Sequence, residues 1–469
     1  MAQANTSSVA GNNKSQYSIS IGIIGILFFI FGFVTWLNGT LIPFLKTACE
    51  LNSFQALFVT FAFYISYFVM AIPSSWVLKK TGLKEGMSLG LLIMAIGALI
   101  FIPAAYTRIY GLFLTGLFVQ GTGLAILQTA SNPYITILGP KESAAARISI
   151  MGIANKVAGL LSPVILTYLV LHNMDRFSEA HLKALTPLQK ADVLNELAAR
   201  IVWPYVVIAI ALVALAAFVK YSPLPEVEAE EDEVAISEEH HAKKNIFQFP
   251  QLILGVFTLF LYVGVEVLAG DTIGLFGKSL NISFFGRLTS YTMCAMVIGY
   301  IIGILTIPKY IKQENALVIS AILGFIFSIT ILFSSTTSSS IFSTLLGWTG
   351  IPAIPNSVFF LALCGLSNAL MWPAIWPLAI DGLGRFIKLG SSLLIMAIAG
   401  GATIPLLYGR LVVNYTDQLP ALLMAKLKFF GVTSAVPNQL AYWIMIPCYL
   451  WILFYAAKGN KLRTWKIKK

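Results

Sequence analysis

The chain has 469 residues, of which 58% are hydrophobic and 11% are charged, and its formal net charge is +11. Soluble domains carry about 25% charged residues, so this composition excludes an ordinary soluble protein. The excess of cations lies in short loops beside apolar runs, which indicates membrane topology rather than nucleic-acid binding. The sequence therefore predicts an all-α integral membrane protein embedded in a lipid bilayer.

The apolar runs in chain order define the spans. The first begins near Tyr17, after a polar segment that lacks the apolar core and cleavage site of a signal peptide, so we expect it to be retained. Each run is long enough to cross a hydrocarbon core of roughly 30 Å. We predict twelve transmembrane helices, at residues 18–45, 54–78, 86–106, 110–138, 146–172, 201–221, 249–279, 288–311, 315–334, 354–380, 389–413 and 438–458.

The loops between the spans predict orientation and domain organisation. Lysines and arginines follow the even-numbered spans two, four, eight and ten, and the C-terminus is basic, so the positive-inside rule predicts two cytoplasmic termini. The interval 173–200 is predicted to be a short amphipathic helix pair on the outside, and 335–353 an outside loop rich in Ser, Thr and Gly. An acidic cytoplasmic linker at 222–246 separates an N-terminal half, 1–221, from a C-terminal half, 247–469.

The two halves share a weak internal repeat. The segment FGFVTWLNGTLI at 31–42 aligns with VGVEVLAGDTIG at 263–274, which places Gly39 opposite Asp271 and Thr40 opposite Thr272. Repeated halves joined by a linker are typical of transporters whose site lies near the bilayer midplane between the repeats. A channel would not need this arrangement.

Two acids inside the seventh span are the strongest functional signal. Glu266 and Asp271 lie in FLYVGVEVLAGDTIGLF, where each carboxylate costs roughly 2.5–3.5 kcal/mol on insertion scales. Lys156 in span five lies about 14 Å beyond the cytoplasmic end of its helix, at 1.5 Å per residue, and is their natural partner. The three residues are predicted to couple a cation to transport, although a structural lock would use the same residues. The cation is either H⁺ or Na⁺, and Asp271 with Thr272 offers oxygen ligands for sodium.

Amides and tryptophans inside the spans predict a ligand with many hydroxyl groups. Gln128 and Asn132 are four residues apart on one helix face, and amides both donate and accept hydrogen bonds. Trp372 and Trp376 continue a face at i, i+4 and i+8 from Asn368, and aromatic rings pack on sugar C–H faces. Helix–helix hydrogen bonding and an interfacial aromatic belt are the structural alternatives. The predicted sugar-binding residues are Asn38, Gln128, Asn132, Asn155, Asn368, Trp372 and Trp376.

No sequence pattern indicates catalysis. Walker A, GxSxG and HExxH motifs are absent, and the scattered cysteines and histidines lack metal-ligand spacing. We therefore expect neither an enzyme nor an ATP-driven pump, and no cofactor beyond the coupling ion.

Several long segments carry a family resemblance across nearly all spans. They are GLAILQTASNPYITILGP, FVTFAFYISYFVMAIPS, FLYVGVEVLAGDTIG and GLSNALMWPAIWPLAIDGLGR followed by GSSLLIMAIAGGATIP. The chain resembles the fucose–galactose–glucose–H⁺ symporter family of the major facilitator superfamily, and its glucose/galactose branch more than L-fucose permease. The resemblance implies two pseudo-symmetric six-helix halves and cation-coupled symport of a neutral hexose such as glucose or galactose. It also implies a monomer in the bacterial inner membrane.

The resemblance leaves the substrate and the coupling residues open. N-acetylglucosamine, fructose and fucose are alternative sugars, and a non-sugar exporter or a sugar sensor are alternative functions. L-fucose permease has an aspartate at the position of Gly39 and a glutamate at the position of Gln128, and both acids are absent here. Since Asp271 is the pseudo-symmetric mate of Gly39, we expect the acidic function to lie on span seven.

Overall fold

The computed structural model describes residues 6–137, 144–177, 179–224, 245–307, 309–417 and 436–465. Every regular element in these ranges is helical. The N-terminal half contains α1 (Thr6–Trp36), α2 (Asn38–Ala48), α3 (Ser53–Ala56), α4 (Phe58–Thr107), α5 (Tyr110–Ile137), α6 (Ala144–Val170), α7 (Glu179–Ala184), α8 (Pro187–Ala199) and α9 (Val202–Tyr221).

The described residues resume at Asn245, just before the C-terminal half. Its helices are α10 (Pro250–Asp271), α11 (Ile273–Ser279), α12 (Leu288–Thr306), α13 (Gln313–Phe333), α14 (Ser340–Leu346), α15 (Asn356–Asn368), α16 (Met371–Ile380), α17 (Ile387–Met396), α18 (Gly400–Asp417), α19 (Pro437–Ala441) and α20 (Met445–Ala457). Short 3₁₀ turns lie at Met174–Phe177, Ile246–Gln248, Phe285–Arg287, Gly347–Thr349, Gly384–Phe386, Ala397–Ala399, Tyr442–Ile444 and Gly459–Lys461.

The helices make twelve passes. Eleven helical stretches in the described ranges are long and apolar enough to span a membrane, and the stretch Ser53–Thr107 has 55 residues. That length is two passes, because Gly82 inside α4 has φ 75° and ψ 174°, a non-helical conformation that glycine adopts without steric cost. The predicted twelve-span, all-α fold is confirmed.

Several passes are divided into two helices. The first pass is divided between Trp36 and Asn38, the seventh between Asp271 and Ile273, and the tenth between Asn368 and Met371. The eleventh and twelfth passes are divided by the 3₁₀ turns at Ala397–Ala399 and Tyr442–Ile444. The divisions of the first and seventh passes lie at nearly equivalent positions of the internal repeat.

The loop predictions have mixed outcomes. The interval 173–200 contains the expected pair, α7 and α8, and α8 begins at Pro187 behind a capping box made by Thr186 and Gln189. The interval 335–353, expected to be a loop, contains the helix α14. Most of the predicted acidic linker, 225–244, lies outside the described residues.

The two halves touch along α6 with α12, along α4 with α17 and α18, and along α2 with α11. The contact between α2 and α11 lies at the end of the bundle where α2 ends and packs on α8. We call this end of the bundle the far side. On the opposite side, α5 and α16 are scarcely in contact. The halves are therefore closed against each other on the far side.

We predict that Gly32→Ala destabilises the protein, because a Cβ at Gly32 would fall on the backbone of Asn155 in α6. Overpacking of this kind costs about 1–3 kcal/mol. Thermal unfolding in detergent should show a lowered Tm. The matched control is Gly22→Ala on the same helix, where nothing lies within 4 Å. Equal Tm values for the two variants would contradict the packing described here.

Candidate functional site

A buried ion pair joins the two halves. Lys156 Nζ in α6 lies 2.7 Å from Glu266 Oε1 in α10, and the two side chains are 10% and 9% exposed. The structure therefore brings together two of the three residues predicted to couple a cation. Because a buried charge without a partner is costly, the pair also holds α6 and α10 in contact.

Trp36 forms one wall of the ion pair. The ammonium of Lys156 lies 4.6 Å from the centroid of the Trp36 ring, within cation–π range. The ring also packs directly on Gly159 of α6 and Gly270 of α10, where a Cβ would overlap it. Trp36 is not one of the predicted sugar-binding residues, although a tryptophan inside span one, two residues before Asn38, was a usable signal.

Asp271 differs from Glu266 in having no partner. Its side chain is fully buried, and within the described residues neither carboxyl oxygen has a hydrogen bond. The neighbouring Thr272 hydroxyl is already shared between the Leu268 carbonyl, at 2.6 Å, and the Tyr442 hydroxyl, at 2.8 Å. The two residues predicted as a sodium site thus have different hydrogen-bond environments.

Two tyrosines of α4 connect the acids to Gln128. Among the described residues, the buried Tyr64 hydroxyl, which lies near Asp271 and Glu266, has no hydrogen-bond partner. Its ring stacks on that of Tyr67 at a centroid distance of 6.3 Å, and Gln128 Nε2 donates to the Tyr67 hydroxyl at 3.2 Å. Sequence reasoning missed both tyrosines, although FYISY within a span was a usable signal.

The two tryptophans of α16 lie beside Tyr262 on α10, the helix that also carries Glu266. Trp372 and Trp376 are half-buried and stacked, with centroids 5.4 Å apart. Trp372 also lies 6.5 Å from the ring of Tyr262, which is one helical turn before Glu266. The stacked pair therefore adds an aromatic surface beside the charged residues.

Asn368 is the last residue of α15, and the two tryptophans lie on α16. Residues 369 and 370 between these helices keep αR backbone angles. Asn368 is fully buried, and its Oδ1 accepts a hydrogen bond from the Tyr449 hydroxyl at 2.9 Å. Its Nδ2 has no partner among the described residues and remains available as a donor.

The other predicted amides occupy different environments. Asn38 is fully buried at the start of α2, and neither of its amide atoms has a hydrogen bond in the described structure. Asn155 Nδ2 makes a long hydrogen bond, 3.4 Å, to the Phe28 carbonyl of α1. Asn132 is half-buried on α5. Asn38 is thus the amide with the greatest unused hydrogen-bonding capacity.

Hydrogen bonds close the two halves on the far side. This far-side seam consists of Lys278 Nζ to Thr47 Oγ1, Thr40 Oγ1 to the Gly286 carbonyl at 3.0 Å, and Ser290 Oγ to the Leu160 carbonyl at 2.7 Å. Each bond joins one half to the other. Separation of the halves on this side has to break all three.

The described residues contain no group of three His, Cys, Asp or Glu side chains that could hold a metal ion. Twelve passes in two halves, with polar and charged groups buried between them, define a membrane transporter.

Family comparison agrees with this class. A profile of the Major Facilitator Superfamily matches residues 24–405. The chain belongs to this superfamily, whose members are transporters and not enzymes.

Several curated relatives match over nearly the full chain. A glucose/galactose transporter of Brucella abortus is 31% identical over 455 residues, covering 96% of both chains. A putative glucose/galactose transporter of Helicobacter pylori is 31% identical over 453 residues, covering 96% of this chain and 98% of the relative. The L-fucose–proton symporter of Escherichia coli is 27% identical, with 90% and 94% coverage.

Solved structures agree in fold. The crystal structure of the transporter FucP in its outward conformation gives a TM-score of 0.66 at 24% identity, covering 95% of this chain and 100% of FucP. A partially occluded inward-open structure of the xylose transporter XylE from E. coli gives 0.57 at 12% identity, with 94% and 97% coverage. Both confirm the major facilitator fold.

We predict that Lys156→Gln and Glu266→Gln each lower the free energy of unfolding by about 3–5 kcal/mol, because each leaves the other charge buried and unpaired. The double variant should lose less than either single variant, since it contains neither charge. The free energies of unfolding of wild type, the two single variants and the double variant, measured in detergent, complete a double-mutant cycle. Additive losses in the double variant would show that the two residues act independently.

We also predict that Lys278→Met opens the far-side seam. In a protein without native cysteines, a cysteine replacing the buried Thr40 should react several times faster with a maleimide when Lys278 is replaced. The matched control is Lys190→Met, which lies on the same side but pairs with Glu50 inside the N-terminal half. Unchanged reactivity in the Lys278 variant would show that this lysine does not hold the seam.

Proposed function

We propose that this protein is a secondary active transporter that moves a neutral hexose, such as glucose or galactose, together with a cation by alternating access. The observation that carries the proposal is the Lys156–Glu266 pair between the two halves, beside the unpartnered carboxyl of Asp271. Relatives named as glucose/galactose transporters support the hexose. N-acetylglucosamine, fructose and fucose are the alternative sugars.

The proposed sugar site uses groups with unused hydrogen-bonding capacity. Asn38 and the Nδ2 of Asn368 are buried without hydrogen-bond partners in the described part of the chain, and they match the paired donors and acceptors of sugar hydroxyls. The stacked rings of Trp372 and Trp376 would pack on the apolar face of the sugar. Gln128, Asn132 and Asn155 complete the proposed set.

A proton is the favoured coupling ion, and Glu266, Asp271 and Lys156 are the proposed coupling residues. The relative named as an L-fucose–proton symporter supports this choice. The sodium alternative would use Asp271 and Thr272. It is weaker because the Thr272 hydroxyl already shares hydrogen bonds with Leu268 and Tyr442.

We propose a monomer in the bacterial inner membrane with both termini in the cytoplasm. The two units are 1–221 and 247–469, joined by the cytoplasmic linker 222–246. In this orientation the far side faces outward, so the described conformation is closed to the outside. Sugar entry from outside then requires the far-side seam to open.

We predict that purified protein in liposomes accumulates labelled glucose or galactose when a proton gradient is imposed. A sodium gradient alone should give no accumulation, because sodium would lack a complete oxygen site. Empty liposomes and dissipation of the gradient are the controls. Accumulation with a sodium gradient alone would show that the coupling cation is sodium. No hexose uptake under either gradient would show that glucose and galactose are not substrates.

We predict that Asn38→Ala lowers hexose uptake at subsaturating sugar by roughly three- to tenfold, the loss expected for a hydrogen bond worth about 0.5–1.5 kcal/mol. The matched control is Thr129→Ala on α5, whose hydroxyl is satisfied within its own helix by the Ala125 carbonyl at 2.7 Å. Equal uptake by the wild type and the Asn38 variant would remove Asn38 from the sugar site.

A further inference from the structure

We propose that Asp271 alone carries the coupled proton, while Glu266 stays ionised as the fixed partner of Lys156. This inference rests on the proposed function and divides the coupling site into two parts with different tasks. One carboxyl binds and releases a proton, and the other keeps a charge that joins the halves.

A charge balance around the site supports the division. The pair of Lys156 and Glu266 is neutral as a unit at 2.7 Å separation. An ionised Asp271 would add a negative charge to a fully buried position with no hydrogen bond among the described residues. An isolated carboxylate is very costly in such surroundings, so the protonated acid is the form that fits this conformation.

The ion pair leaves Asp271 without a share of its positive charge. Glu266 lies five residues before Asp271 on α10, has the same sign when ionised, and is the carboxyl that Lys156 contacts. The titratable group near Asp271 on α4 is the Tyr64 hydroxyl, which is uncharged at neutral pH.

The backbone next to Asp271 lies close to the far-side seam. Gly39 of α2, the pseudo-symmetric mate of Asp271, packs on the Gly270 carbonyl, which a Cβ at residue 39 would approach to 3.2 Å. Thr289 of α12 donates to the same carbonyl at 2.8 Å. Separation of α2 from α11 on the far side would therefore uncover the backbone beside Asp271.

Glu266, unlike Asp271, has an ionic partner. Its partner Lys156 belongs to the other half and is held over the Trp36 ring. Protonation of Glu266 would leave Lys156 as an uncompensated buried charge, which is more costly than protonation of Asp271. The proton therefore goes to Asp271, and the ion pair remains intact.

The test is infrared spectroscopy of the purified protein at neutral pH without sugar. Wild type should show the carbonyl stretch of a protonated carboxylic acid. Asp271→Asn should remove this band. The double variant Lys156→Gln, Glu266→Gln should keep it, because it contains neither charge of the pair, and added sodium should leave the band unchanged. The matched control is Asp381→Asn, an exposed acid paired with Arg463, which should not alter the band.

Three results would overturn the proposal: no band in wild type, loss of the band in the double variant with retention in Asp271→Asn, or removal of the band by sodium. None of these three infrared results depends on which sugar the protein transports. A wrong choice of hexose would instead appear as wild-type liposomes that take up no hexose, so the two failures are distinguishable.

Transport gives a second readout. Asp271→Asn should still exchange labelled for unlabelled hexose across liposomes at equal concentrations, and it should lose accumulation driven by the proton gradient. Residual transport by the double variant Lys156→Gln, Glu266→Gln should remain proton-driven, because Asp271 is present. Proton-driven accumulation by Asp271→Asn would contradict the assignment.

Discussion

An ion pair that is buried between two halves of a membrane protein is stable only while its partners stay together. Lys156 and Glu266 impose this constraint, because both side chains are buried. Their contact links α6 to α10 and places the Lys156 ammonium over the Trp36 ring. By contrast, neither carboxyl oxygen of Asp271 has a hydrogen bond among the described residues.

Small residues allow the two halves to come close enough for this pair to form. Gly159 and Gly270 accommodate the Trp36 ring, and Gly39 packs against the backbone of Gly270. Membrane helices lack a hydrophobic force that drives them together, so close backbone contact and interhelical hydrogen bonds have to supply the association. The far-side seam provides such bonds between side chains and backbone carbonyls.

The spans were predictable because hydrophobic length is a local property of the sequence. The prediction of twelve passes was confirmed. The sequence also predicted that the partner of Lys156 is either Glu266 or Asp271. Which acid makes the pair was not predictable, because it depends on how the helices rotate against each other. The same reason explains why Tyr64 was missed and why Asn368 bonds to Tyr449 on another helix.

The central claim is that the buried Lys156–Glu266 pair holds the two halves together. Electron-spin distance measurement tests it most directly, with labels at Leu188 and Trp348, which are 74% and 84% exposed in opposite halves. We predict a single distance population in wild type and an additional, longer population in Lys156→Gln. An unchanged distance distribution in that variant would contradict the claim.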